Sequence, residues 1–207
     1  MKKAIFLLIA GAAVLTAVAA CAPRAETGAP AVQPAAGATP AASTSAAVTA
    51  GELRDRLVAA GLGVPKEPIE ADDFELASLA GGKVKLSSYR GRVVFLNFWA
   101  TWCPPCRAEM PSMERLHQLL RGRGLEIVAV DLQESKETAR KFVKDNALTF
   151  TVLLDPQGAV GGAWGAQSIP TTYLIDRKGA ILARSVGSRE WDSADMVSLF
   201  ETILAAE

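Results

Sequence analysis

The sequence predicts one α/β domain over residues 65–207, with a mixed central sheet flanked by helices and opened by an N-terminal β-hairpin. Three observations carry that prediction. Arg92–Trp99 (R-V-V-F-L-N-F-W) is a continuous run of β-formers, the pattern of a central strand buried on both faces. Strand-like and helix-like segments alternate after it, which is the signature of a layered α/β domain. The chain then closes on a hairpin followed by a helix. Composition agrees, because half of the 207 residues are apolar and a real core can form. The 22 basic and 22 acidic residues cancel, which argues against nucleic acid as a partner.

The chain opens Met1-Lys2-Lys3 and runs from Ala4 to Ala20 without a charge. A basic start before a small-residue-rich apolar run reads as an export signal over residues 1–20. The run ends Val18-Ala19-Ala20-Cys21, which resembles a bacterial lipobox and implies lipidation of Cys21 on its sulfur. The alternatives are an uncleaved membrane helix, at the short limit of a span, and ordinary cleavage, which would leave no anchor. The lipid anchor and the helix both tether the protein and place the rest outside the cytoplasm. Residues 21–50 are Cys21 and a tether. Of the 29 residues 22–50, 24 are Ala, Pro, Thr, Ser or Gly, too few large apolar side chains for a core. Pro23, Pro30, Pro34 and Pro40 interrupt any helix there. A flexible chain of that length spans about 30 Å.

From Gly51 to Ala60, Leu53, Leu57 and Val58 have helical spacing, and Gly61 and Gly63 stop the helix. The spacing leaves open whether this helix packs or stands off, so residues 51–64 read as helix and linker. Phe74 to Leu86 holds two short strand-like runs around Gly81-Gly82, a hairpin. From Pro104 to Arg121, Met110, Met113, Leu116 and Leu120 line one helical face, and Gly122 ends it. Leu125–Val130 is a second buried strand. Ser135–Asn146 is an amphipathic helix with Ala139, Phe142 and Val143 inward, its charged run a solvated face. Phe150–Leu154 is a strand and Ala159–Trp164 a short helix. Thr172–Ile175 and Ala180–Val186 flank the turn Asp176-Arg177-Lys178-Gly179. Asp192 or Ser193 caps a last helix that ends at Ala205.

The chemistry sits in Trp102-Cys103-Pro104-Pro105-Cys106, where the buried strand hands over to a helix. A structural zinc site needs four ligands, and beyond this pair only His117 remains among the usual nitrogen and sulfur donors. Haem attachment needs His directly after the second Cys, where Arg107 stands. A redox dithiol needs two sulfurs able to close a disulfide, one of them partly thiolate, and a helix N-terminus favours that anion. Cys21 and this pair together leave no odd thiol. No cofactor and no metal are expected.

The run N-F-W-A-T-W-C-P-P-C-R-A-E-M-P (97–111) resembles the thioredoxin superfamily. More narrowly, it is similar to the TlpA/ResA-type extracytoplasmic thiol-disulfide oxidoreductases. S-I-P-T-T-Y-L-I-D (168–176) and the turn D-P-Q-G (155–158) extend the similarity, which runs from about Phe74 onward. The resemblance implies a thioredoxin-like fold, Cys103 as attacking thiol and Cys106 as buried resolving thiol. It implies Pro170 as a cis-proline beside the pair, with Ile169 offering its backbone to a substrate strand. Glu109 falls where the subfamily carries an acid near the active site. Two readings stand for it: proton exchange with Cys106, or a solvated glutamate near the helix start that helps the dipole. Asn97 stands where general thioredoxins have a buried Asp. Asn takes no proton, so any buried base lies elsewhere, which favours Glu109.

Pro104 and Pro105 suit a first helical turn, and they remove two N–H groups that would have held a thiolate. Only the Cys106 N–H remains among the nearest donors, so a moderately lowered Cys103 pKa and a reducing pair are expected. The implied activity is reduction of protein disulfides outside the cytoplasm, with apocytochrome c as one substrate. A membrane electron donor of the DsbD/CcdA type would recharge the pair. Alternatives are a thiol oxidant or isomerase on the same fold, a copper-binding chaperone, and a thiol peroxidase. The Pro-x-x-x-Thr-x-x-Cys pattern expected of the last is missing at Cys103. His117 reads as surface or packing. Trp99 and Trp102 read as cover over the active site, while Trp164 and Trp191 fit either core or a substrate surface.

Overall fold

The computed structural model describes residues 48–206. The segments read as an export signal, a lipidated Cys21 and a tether, up to residue 47, lie outside the described residues. Among the described residues, no helix is long and apolar enough to cross a membrane.

The long apolar run is strand β3, Val93–Trp99, and all seven of its residues are buried. It pairs in parallel with β4 (Leu125–Leu132) and antiparallel with β6 (Thr171–Ile175). β5 (Thr151–Asp155) continues the parallel pairing beyond β4. A hairpin of β1 (Glu75–Ser78) and β2 (Lys83–Lys85) adds antiparallel strands to β5, and β7 (Ile181–Val186) closes the other edge. The order across the seven strands is β2-β1-β5-β4-β3-β6-β7. A strand alternates its side chains between faces, so β3 serves two cores. Val93, Phe95 and Trp99 join one cluster, and Val94, Leu96 and Phe98 the other.

The first cluster is roofed by α1 (Ala50–Ala59), α2 (Pro104–Leu120) and α5 (Ala194–Ala206). Phe142 and Val143 of α3 (Lys136–Asp145) pack on it from the β4–β5 crossover. α4 (Ala159–Ala163) lies over the second cluster, against β4. A Cβ added at Gly161 would stand 2.7 Å from Leu132 Cδ2, so only glycine lets α4 sit that close.

Three differences from the sequence reading have physical causes, and one open choice is decided. The helix at 50–59 packs, with Leu53 and Leu57 buried and Val58 exposed, so the folded unit reaches back before residue 65. The hairpin ends at Lys85, and Leu86–Tyr89 forms a 3-10 turn that buries Leu86. Asp73 holds that turn, accepting from Ser87 N at 2.9 Å and Ser87 Oγ at 2.8 Å. β4 runs on past Val130 through Asp131 to Leu132, paired with Leu154 and Asp155 of β5. At the last helix, Ser193 is the capping side chain, its Oγ accepting from Met196 N at 3.4 Å.

Candidate active site

β3 ends at Trp99, and Cys103 is the N-cap of α2, with Pro104 and Pro105 in the first turn. The N-cap position leaves the first amides of the helix facing the sulfur. Only one of them donates: Cys106 N–H reaches Cys103 Sγ at 3.2 Å. The two sulfurs form a disulfide with the Cα atoms 5.3 Å apart. Cys103 is 4% exposed and Cys106 is 0% exposed, so the N-terminal sulfur is the one nearer solvent. Cys103 Sγ lies 3.7 Å from the carbonyl oxygen of Ile169, and the Ile169–Pro170 bond is cis. Gly187 N–H donates to Pro170 O at 2.8 Å, which fastens that loop to the end of β7. Trp102 is exposed beside the pair. With Gln133, Gly161, Gln167 and Ile169 it lines a groove of about 210 Å³. A larger cavity of about 590 Å³, between α1 and residues 64–68, has neither sulfur in its walls.

Glu109 lies one turn beyond Cys106 and is buried, which removes the reading of it as a solvated residue near the helix start. Its Oε1 accepts from Asn97 Nδ2 at 2.9 Å. Its Oε2 accepts from Trp191 Nε1 at 2.9 Å and from Arg189 N–H at 3.3 Å. Burial raises its pKa to about 7 against the opposing pull of those three donors. Asn97 is the one polar side chain of β3, and strand alternation turns it to the α2 side. It also donates to Thr172 Oγ1 at 2.9 Å. Of the tryptophans left open by the sequence, Trp191 is therefore both core and donor. Trp164 packs in the second cluster, and its carbonyl accepts from Tyr173 OH at 2.5 Å.

A second acid emerges that the sequence reading passed over. Asp131 is fully buried at the end of β4, beside Trp99 in register, and no donor reaches either of its oxygens. Burial, then the Glu134 carboxyl beside it, push its pKa up to about 8. Glu134 in turn accepts from the N–H and the Oγ of Thr101, two residues before Cys103. His117 stands apart from the dithiol. It is buried edge-on to Phe150, and burial lowers its pKa.

A mixed sheet with a Cys-x-x-Cys pair capping its central helix and a cis-proline beside the sulfurs defines a thioredoxin-like protein. The AhpC/TSA family model matches residues 69–184, more than half of the sequence, and the chain belongs to that family. It is 45% identical over 111 residues to the thiol-disulfide oxidoreductase ResA of Geobacillus thermodenitrificans, 54% of this chain and 64% of the relative. It thus spans less than two thirds of that relative's length. To ResA of Bacillus cereus it is 38% identical over 120 residues, 58% of this chain and 69% of the relative. Among solved structures it is similar to a Chlorobium tepidum chain described as a thiol:disulfide interchange protein DsbE. There the identity is 40% and the TM-score 0.60, covering 68% of this chain and 97% of that one.

Proposed function

We propose that this protein is a tethered thiol-disulfide oxidoreductase that reduces disulfides in proteins outside the cytoplasm. The observation that carries this reading is the Cys103–Cys106 disulfide at the N-terminus of α2, with a buried carboxyl one turn away. In the reduced form the Cys103 thiolate attacks a substrate disulfide. One substrate sulfur leaves as thiolate, and a mixed disulfide joins Cys103 to the other. Cys106 then attacks Cys103 Sγ, closes the pair, and releases the second substrate thiol. Two electrons pass to the substrate, and each released thiolate gains a proton. Glu109, titrating at about 7, is the group that takes the Cys106 proton at neutral pH. Trp102, Ile169 and Pro170 present the surface on which the substrate chain lies.

Lipidation of Cys21 would hold the domain at the membrane. A donor of the DsbD/CcdA type would return the electrons, and apocytochrome c is a substrate of the right chemistry. Loss of two amides to Pro104 and Pro105 supports the reducing direction, because a less stabilised thiolate makes a more reducing pair. The test is the reduction potential of the full chain equilibrated with defined thiol buffers. A value below about −230 mV is expected, and one near about −120 mV would make the protein an oxidant and overturn the reading. Cys106→Ser should trap a mixed disulfide with substrate, and Cys103→Ser should trap none.

A further inference from the structure

The loop after β7 delivers two of the three donors on Glu109, and backbone bonds from Gly187 to Pro170 O and from Trp191 to Ser112 Oγ hold its two ends. Between those ends its anchor is the Arg189 side chain. Nε donates to Ser185 Oγ at 2.9 Å, Nη1 to Ala60 O at 2.8 Å, and Nη2 to Gly61 O at 2.7 Å. The last two acceptors are carbonyls at the C-terminal end of α1, where the helix dipole favours a cation. Gly61 has φ +71°, and a Cβ there would stand 3.2 Å from Nη2, so glycine permits the approach. The Arg189 backbone N–H meanwhile points at Glu109, and Trp191 follows two residues later. Trp191 N–H donates to Ser112 Oγ at 3.1 Å, which sets the indole over α2.

We propose that Arg189 is a positioning residue for Glu109: by clamping the loop to α1 and β7 it keeps two donors on Oε2 and so sets how tightly that carboxyl holds its proton. α1 thereby becomes part of the acid's support. This helix follows directly on the segment read as the tether. The inference rests on the reading of Glu109 as proton partner of Cys106. The titratable or charged groups around Glu109 are few. On α2 there is the cysteine pair, and on the loop there is the Arg189 guanidinium, turned toward α1. β3 and β6 bring only the neutral Asn97 and Thr172. A second fastening exists, from Arg115 on α2 to Glu190 and Asp192. Arg115 and Glu190 are exposed and Asp192 is half-buried, and none of the three donates to Glu109.

The test reads Glu109 directly, by the carboxyl carbon-13 titration of the oxidised full chain, with Glu109→Gln identifying the resonance. Arg189→Ala should move the titration up by about one pH unit, because donors to the ionised form are lost. Arg189→Lys should restore part of it, since one ammonium reaches fewer of the three acceptors. Arg115→Ala should leave it in place. An Arg189→Ala protein that is less stable but titrates as the wild type would overturn the inference. If that variant does not fold, Arg189→Lys is read alone: a raised titration supports the inference and an unchanged one overturns it. Separately, a reduction potential whose pH dependence is unaltered in Glu109→Gln would sink the proton-partner role while leaving the Arg189 titration meaningful.

Discussion

Asn97 decides the character of the buried acid beside the dithiol. Its amide nitrogen gives one hydrogen bond to Glu109 and one to Thr172, both at 2.9 Å, in a fully buried setting. Asn97→Asp replaces that donor by a carboxyl facing another carboxyl. Each buried carboxyl raises the titration of the other, so the pair keeps a proton that the unfolded chain gives up as pH rises, a loss on the order of 3 kcal/mol or more at pH 8. At pH 5 the two share a proton and the loss shrinks. The denaturant midpoint should therefore fall much further at pH 8 than at pH 5; equal losses would mean that the carboxyls do not feel each other. The residues legible in the sequence were those in local motifs: the cysteine pair, its prolines, Glu109 and Pro170. Trp191 and Arg189 reach Glu109 across 82 and 80 residues of chain, and no spacing announces such a contact. Asp131 carries no such signal, because a charged residue directly after the apolar run that ends at Val130 looks like the end of the strand.

α1 shows what periodicity does and does not reveal about an element. Leu53, Leu57 and Val58 mark a helix, and Thr49 closes a capping box with Glu52 at its start. The same spacing is silent on the partner, which is α5 and the sheet behind it. Leu57 is 2% exposed there, whereas Val58 is 55% exposed. Leu57→Ala should destabilise the protein by about 3 kcal/mol, through lost burial and the cavity left behind. Val58→Ala should change stability by no more than about 0.5 kcal/mol. Urea unfolding of the two variants checks this; equal effects would show that α1 does not belong to the cooperative unit. The central strands and α2 were legible because their apolar residues repeat with one period over many positions. The turn at Leu86–Tyr89 was not, because Asp73 fixes it from 14 residues away in sequence.

For the molecule as a whole, the two buried acids tie stability to pH. Glu109 at about 7 and Asp131 at about 8 stand above their ordinary values of 4.5 and 3.8. Between those limits the folded chain holds protons that the unfolded chain has released, so stability falls as pH rises through the window. Above the folded values the loss is complete and the curve flattens. His117 works in the opposite sense, because burial lowers its pKa from 6.5, and its effect is confined to lower pH. The lowered carboxylates Asp73, Glu114 and Asp192 likewise act only in the acid range. Between pH 6.5 and 9 the two raised acids therefore dominate, and the oxidised chain should lose on the order of 3 kcal/mol. The double variant Glu109→Gln with Asp131→Asn removes both titrations while keeping the shapes of the side chains. Its unfolding midpoint should stay level over the same range and exceed the wild type at pH 9. A wild-type midpoint that is level or rising from pH 6.5 to 9 would mean that both carboxyls are ionised in the folded state. Glu109 would then be a carboxylate of ordinary acidity, in the right form to accept the Cys106 proton but too weak a base to hold it, which would leave it an electrostatic neighbour of the dithiol.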